Sequence, residues 1–155
     1  MSLKTDRPEI VSVPKTVALP EKATAARFPI ITQAVTSDDT MVRVTMAVGG
    51  VSRSNTLLLY PLLAALTLSP AKASHGATVT GTIVLRQPAP PDGLTVTLSS
   101  GNPTLLSVPP EVRVPGGANS ASFQFTVGAV AAESSTVIAA SNAGTTRNAT
   151  LTLVP

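Results

Sequence analysis

Cysteine and tryptophan are absent, and histidine occurs once, at His75. Those gaps remove disulfides and thiolate metal sites, and they leave no second imidazole for a multi-histidine centre. Aromatics make up 3% of the residues, with Tyr60 and three Phe, so the platforms on which sugars or bases stack are scarce. Charge is also sparse, at 12% of residues. The net +3 is spread as seven basic and five acidic groups over residues 1–61, and four and three over 62–155. A surplus that small, with no basic cluster, argues against nucleic acid despite a pI near 9.8. The longest apolar run, Leu57 to Leu68, is interrupted by Pro61 and falls short of the roughly 18 to 20 residues that span a bilayer.

What is present is a repeat. Ser12-Val13-Pro14 returns as Ser107-Val108-Pro109, Ala26-Arg27-Phe28 as Ala121-Ser122-Phe123, and Thr56 to Pro61 as Thr150 to Pro155. With a one-residue slip placed near Gly49 and Gly144, residues 12–61 match 107–155 at 17 of 50 positions. The closing prolines, Pro61 and Pro155, lie 94 positions apart, so 62–155 reads as one complete unit and 1–61 as the back part of a preceding copy. The chain opens with Met1-Ser2-Leu3 running straight into polar Lys4-Thr5-Asp6-Arg7-Pro8, without the apolar stretch of a signal peptide. These first residues therefore read as vector-derived, on a fragment that begins in mid-repeat.

Within the unit, apolar residues alternate with Thr and Ser about every ten residues. In Ala77 to Leu85, positions 77, 79, 83 and 85 share one face and threonines the other. The same alternation predicts strands at 94–99, 121–127 and 149–153, with shorter ones at 66–69, 105–108, 111–114 and 136–140. Pro90-Pro91-Asp92-Gly93 and Pro115-Gly116-Gly117 supply turns between them, because proline presets φ and glycine accepts a positive one. Alanines make a helix over 127–140 conceivable, but Ser134-Ser135-Thr136-Val137-Ile138 favours a loop and a strand. Seven or eight short strands in about 95 residues predict an all-β, antiparallel immunoglobulin-like sandwich, preceded by a partial copy of itself.

The order Leu66 to Pro70, Thr80 to Val84, Pro88 to Ser100, Asn102-Pro103, Ser107-Val108-Pro109, Val112 to Pro115, Ala121-Ser122-Phe123 and Ala149 to Leu153 resembles the tandem Ig-like repeats of bacterial secreted and surface proteins. That resemblance implies a module in an extracellular or cell-surface array, flanked by neighbouring repeats, with no catalytic, cofactor-binding or metal-ligating residues. It covers 62–155 entirely and 12–61 in part, and the front copy lacks a counterpart of 62 to about 106.

No chemistry-bearing motif emerges. His75, in Lys72-Ala73-Ser74-His75-Gly76, has no neighbouring carboxylate to orient it and reads as a solvated loop residue. Gly50-Val51-Ser52-Arg53-Ser54 lacks the second glycine of a nucleophile elbow. Asp38-Asp39, aligned with Glu133-Ser134, and the isolated Asp92 are too few for a calcium loop. Gly49-Gly50 and Gly116-Gly117 precede neither a helix nor a P-loop lysine and read as hairpin turns. Asn148-Ala149-Thr150 fits a glycosylation sequon that is common by chance. Phe123 and Phe125, with Phe28 and Ile30 in the matching places, share a strand face with Ala121 and Val127 and read as core.

These readings leave a structural or adhesive spacer as the expected function. The alternative is a module that binds a carbohydrate or protein through loops at one end of the sandwich, with 88–93 and 128–135 as candidates. A half-copy would leave Phe28, Ile30, Met41, Val42, Val44, Met46 and Val48 needing cover. The expected cover is the same segment of a second molecule, in a homodimer through 1–61, or the complete module.

Overall fold

The computed structural model describes residues 1–36 and 40–155; Asp38-Asp39 lie outside the described residues. The chain folds as two compact units, Met1–Pro61 and Leu62–Pro155.

The second unit is an all-β, antiparallel immunoglobulin-like sandwich. Its strands are β6 (Leu63–Ser69), β7 (Lys72–Ser74), β8 (Thr78–Leu85), β9 (Leu94–Ser100), β10 (Glu111–Val114), β11 (Ser120–Thr126), β12 (Ser134–Asn142) and β13 (Thr145–Val154), numbered after five in the first unit. One sheet has the order β10-β9-β12-β13-β7 and the other β11-β8-β6. All pairs are antiparallel except β13 with β7. The alternation read from the sequence sets the two faces: along β8, Val79, Ile83 and Leu85 are buried while the threonines between them are half-buried or exposed. They meet Phe123 and Phe125 beside them, and Val96, Leu98, Ile138, Ala140, Leu151 and Leu153 from the opposite sheet, in one core.

One tight approach in that core is within one sheet. Phe123 stands directly opposite Gly81 in the β11–β8 ladder. A Cβ on Gly81 would lie 2.2 Å from Phe123 Cζ, so the ring occupies the space a side chain would need. Residues 105–108, expected as a strand, form only a bridge through Leu106 to Val127. The three-residue strand β7 is an element that alternation did not announce.

The first unit contains β1 (Ser2–Thr5), β2 (Val11–Ser12), β3 (Ile31–Thr32), β4 (Thr40–Val48) and β5 (Val51–Leu59). Among the described residues its sheets are β1-β4-β5 and the short pair β2-β3. Leu3, Val11, Val42 and Val44 form its buried apolar cluster. The first residues are thus structural: Leu3 is 6% exposed, and β1 pairs along β4.

That pairing reproduces the second unit bond for bond. Leu3 faces Met46 as Leu98 faces Ala140, and Thr5 faces Val44 as Ser100 faces Ile138. The amide of Leu3 donates to the Lys15 carbonyl at 3.0 Å as Leu98 donates to Pro110 at 2.8 Å. Val11 donates to Arg7 as Leu106 does to Asn102, and Gln33 to Ile10 as Gly128 to Leu105. Ser2 bridges Thr16 as Thr97 pairs with Glu111. The front copy therefore has a counterpart of residues 96–106, which the sequence comparison missed because only Leu3/Leu98, Pro8/Pro103 and their spacing to the Ser-Val-Pro motif persist there.

The slip in register also falls elsewhere than near the glycines. Both hairpins turn on two residues with positive φ, Gly49 and Gly50 (55° and 81°) and Ala143 and Gly144 (48° and 81°). This is the signature of a type I′ turn. Buried Val42 corresponds to buried Thr136, a separation of 94, whereas the identity with Val137 is false, since Val137 is 41% exposed. The separation is 95 up to Gln33 and 94 from Thr40 onward, so the extra residue lies in the loop before β4.

Phe123→Ala is expected to lower the unfolding free energy of the second unit by about 3 to 5 kcal/mol, and Gly81→Ala by about 1 to 3 kcal/mol through crowding of the same ring. Denaturant titration checks both; a loss below about 1 kcal/mol for Phe123→Ala would remove this face from the core. Ala143→Asn should instead stabilise by about 1 kcal/mol, since alanine resists the left-handed φ that asparagine accepts.

Candidate functional site

His75, Asp92 and Glu133 sit in exposed loops of the sandwich. His75 occupies the second position of a four-residue turn closed by Ala77 N–H donating to the Ser74 carbonyl at 3.1 Å, and Gly76 at the third has φ 76°. The turn explains the His-Gly pair: glycine meets the positive φ and His75 points to solvent. Glu133 faces Lys72 at 3.4 Å, with the two side chains 62% and 61% exposed, a surface ion pair. Asp92 contributes its backbone carbonyl to the Arg113 guanidinium, which ties the β8–β9 loop to β10. Asn148 lies in the middle of β13, exposed. Among the described residues, no group of three His, Cys, Asp or Glu side chains could hold a metal ion, and no buried side-chain nitrogen or oxygen lacks a hydrogen-bond partner.

The two loops expected to share one end of the sandwich are at opposite ends. Residues 88–93 follow the end of β8, where Ala89 exchanges hydrogen bonds with Gly117 and Ala118 at 2.9 Å and Ser120 pairs with Val84. Residues 128–135 follow β11, whose last residue, Thr126, pairs with Thr78 at the start of β8. A binding surface at one end cannot combine them. The 88–93 loop shares its end with Pro115–Gly117 and the Ala143-Gly144 turn.

One concave feature of the first unit is apolar. This open groove of about 390 Å³ is lined by Leu3, Phe28, Ile30, Val44, Met46 and Leu57, together with Arg53. Residues 24–30 alongside it form no strand. Of the residues expected to need cover, Val42 and Val44 are buried and Phe28 and Met46 half-buried. Ile30, Met41 and Val48 are 40%, 63% and 46% exposed.

No protein-family model and no curated protein matches the chain. Among solved structures, it is similar to domains 4 and 5 of the S-layer protein SbsC, at 14% identity and a TM-score of 0.38, covering 99% of this chain and 70% of that one. The structure of SbsC domains 1–6 gives 15% identity and a TM-score of 0.35, and the chain spans 20% of its length. A chimeric titin Z1Z2-Z1Z2 tandem gives 11% and 0.28, over 99% of this chain and 84% of that one. No helix among the described residues is long and apolar enough to cross a membrane.

His75→Ala and Glu133→Gln are each expected to change stability by less than about 0.5 kcal/mol, as for other exposed positions. Thermal unfolding checks this; a larger loss for His75→Ala would show a partner that the turn geometry does not provide.

Proposed function

We propose that this chain is a non-catalytic structural repeat, with residues 62–155 a complete module and 1–61 a partial copy, that acts as a spacer or stalk in a larger secreted or cell-surface protein. The observation that carries this reading is the recurrence of one framework of ladder and loop hydrogen bonds at a separation of 95 and then 94 residues. Repetition of a closed module is how a chain gains length without new chemistry. The outward faces of β8 and β9 carry Thr and Ser rather than charge or aromatics, which leaves few anchors for a ligand there. Pro61 at the boundary restricts φ, so the connection between modules is stiffer than a glycine-serine linker would be. Adhesive contacts with neighbouring repeats, or with a protein or glycan, would be additions to this mechanical role.

Stretching the full chain between handles tests it. Unfolding of the 94 residues of 62–155 should appear as one discrete event that releases roughly 310 to 340 Å of contour, at about 3.3 to 3.6 Å per residue. Smooth extension without such an event would defeat the spacer reading. Saturable binding on a glycan array, lost on substitution in the 88–93 loop, would replace it with a binding module.

A further inference from the structure

We infer that the first unit is an acceptor for an added β-hairpin of the type formed by β6 and β8: two antiparallel strands with small and aliphatic residues alternating on one face. The identity of the occupant comes from comparing the two units position by position. Relative to the second unit, the first contains counterparts of β9, β12 and β13, the bridge that begins β10, and the chain segment of β11. Among the described residues, nothing in it corresponds to β6, β7 or β8.

The residues left bare trace the footprint of those strands. Phe125 is 4% exposed and its counterpart Ile30 is 40%; Val114 is fully buried and its counterpart Leu19 is 45% exposed. Leu151 and Leu153 are fully buried, while Leu57 and Leu59 are only half-buried. Residues 25–31 occupy the place of β11 but form no ladder before Ile31, because β11 is a strand only through its pairing with β8. An unpaired extended segment beside an apolar groove is what strand addition requires: main-chain groups to bond and pockets for alternate side chains.

A second observation points to the same occupant. Arg147 in β13 donates from Nε to the carbonyl of Leu63, the first residue of β6, at 3.2 Å. Its counterpart Arg53 is also arginine and lines the groove. The donor that holds β6 in the complete unit is thus preserved where β6 is missing. A second copy of 1–61 offers this face no such pattern, since it brings the same bare residues without a β8-like strand.

The register follows from the complete unit. A donor with the sequence of residues 62–86 should place its Gly81 opposite Phe28, Val79 opposite Ile30 and Ile83 opposite Ala26, as Gly81, Val79 and Ile83 stand opposite Phe123, Phe125 and Ala121. The proposal holds whether or not the chain serves as a spacer.

The test adds a synthetic peptide of residues 62–86 to the full chain and follows binding by titration and backbone amides by hydrogen exchange. Saturable one-to-one binding with new protection at the amides of Ala26, Phe28 and Ile30 is the expected result. A peptide carrying Val79→Asp and Ile83→Asp should bind roughly ten-fold or more weakly, because it must bury two charges. Arg53→Ala in the full chain should weaken binding several-fold while β4–β5 protection persists. Unchanged exchange at 26–30 with β4–β5 protected would overturn the proposal. So would a dimer by light scattering whose Ala26, Phe28 and Ile30 amides are protected before peptide is added and which the peptide does not dissociate. If β4–β5 is unprotected without peptide, the same segment joined ahead of Met1 through a flexible linker serves instead: protection at both 26–30 and β4–β5 supports the acceptor role, and its absence at 26–30 refutes it.

Discussion

A sheet whose residues alternate between apolar and hydroxyl side chains has one face that water cannot satisfy, and a second layer must lie over it. In residues 62–155 that layer is β6, β8 and β11, within which the Phe123 ring lies over Gly81. The glycine is not there for its backbone freedom, since its φ lies outside the left-handed region. It is there because the ring needs the volume. With the ring seated, Val79 and Ile83 on either side reach full burial and the opposite sheet closes over them. In residues 1–61 the corresponding ring, Phe28, has no strand beneath it and remains half-buried, and the groove beside it stays open. The contrast isolates what the layer contributes, because the remaining framework is nearly identical.

How much of this could be read from the residues depended on how each element encodes itself. Strand β8 was legible because Val79, Ile83 and Leu85 alternate with Thr78, Thr80 and Thr82, broken only by Val84, and β10 emerged with its observed limits from Glu111-Val112-Arg113-Val114 between two proline turns. Strand β7 was not, since three residues with only Ala73 buried carry no periodicity and owe their conformation to the parallel edge of β13. Strand β1 was hidden for a different reason: it shares one side chain with its counterpart in β9, and its place is specified by which face Leu3 occupies rather than by identity. Residues 105–108 alternate well enough for a strand, but the hydrogen bonds from Leu105 and Leu106 to Asn102 turn them into a tight loop.

The site was partly legible. An apolar face in want of cover could be listed from the half-copy alone, but its shape could not. Its boundary depends on β1 being present, and therefore on a strand that identity does not reveal. His75 was placed in a loop by the glycine that follows it, and it lies in an exposed turn closed by Ala77 and Ser74. The pairing of 88–93 with 128–135 failed because proximity in a sandwich follows strand direction, and an odd number of crossings separates those loops.

The change of separation from 95 to 94 residues between Gln33 and Thr40 bears on how such copies diverge. Had the extra residue entered the two-residue turn at Gly49-Gly50, every following side chain of β5 would have exchanged faces, and Leu57 and Leu59 would have turned to water. Placed between Gln33 and Thr40, it leaves the register of every described ladder unchanged. Drift in length is thereby confined to the crossings, while the hairpin is held to an invariant count. Two copies can then lose most of their sequence identity and still present interchangeable surfaces to the same strand.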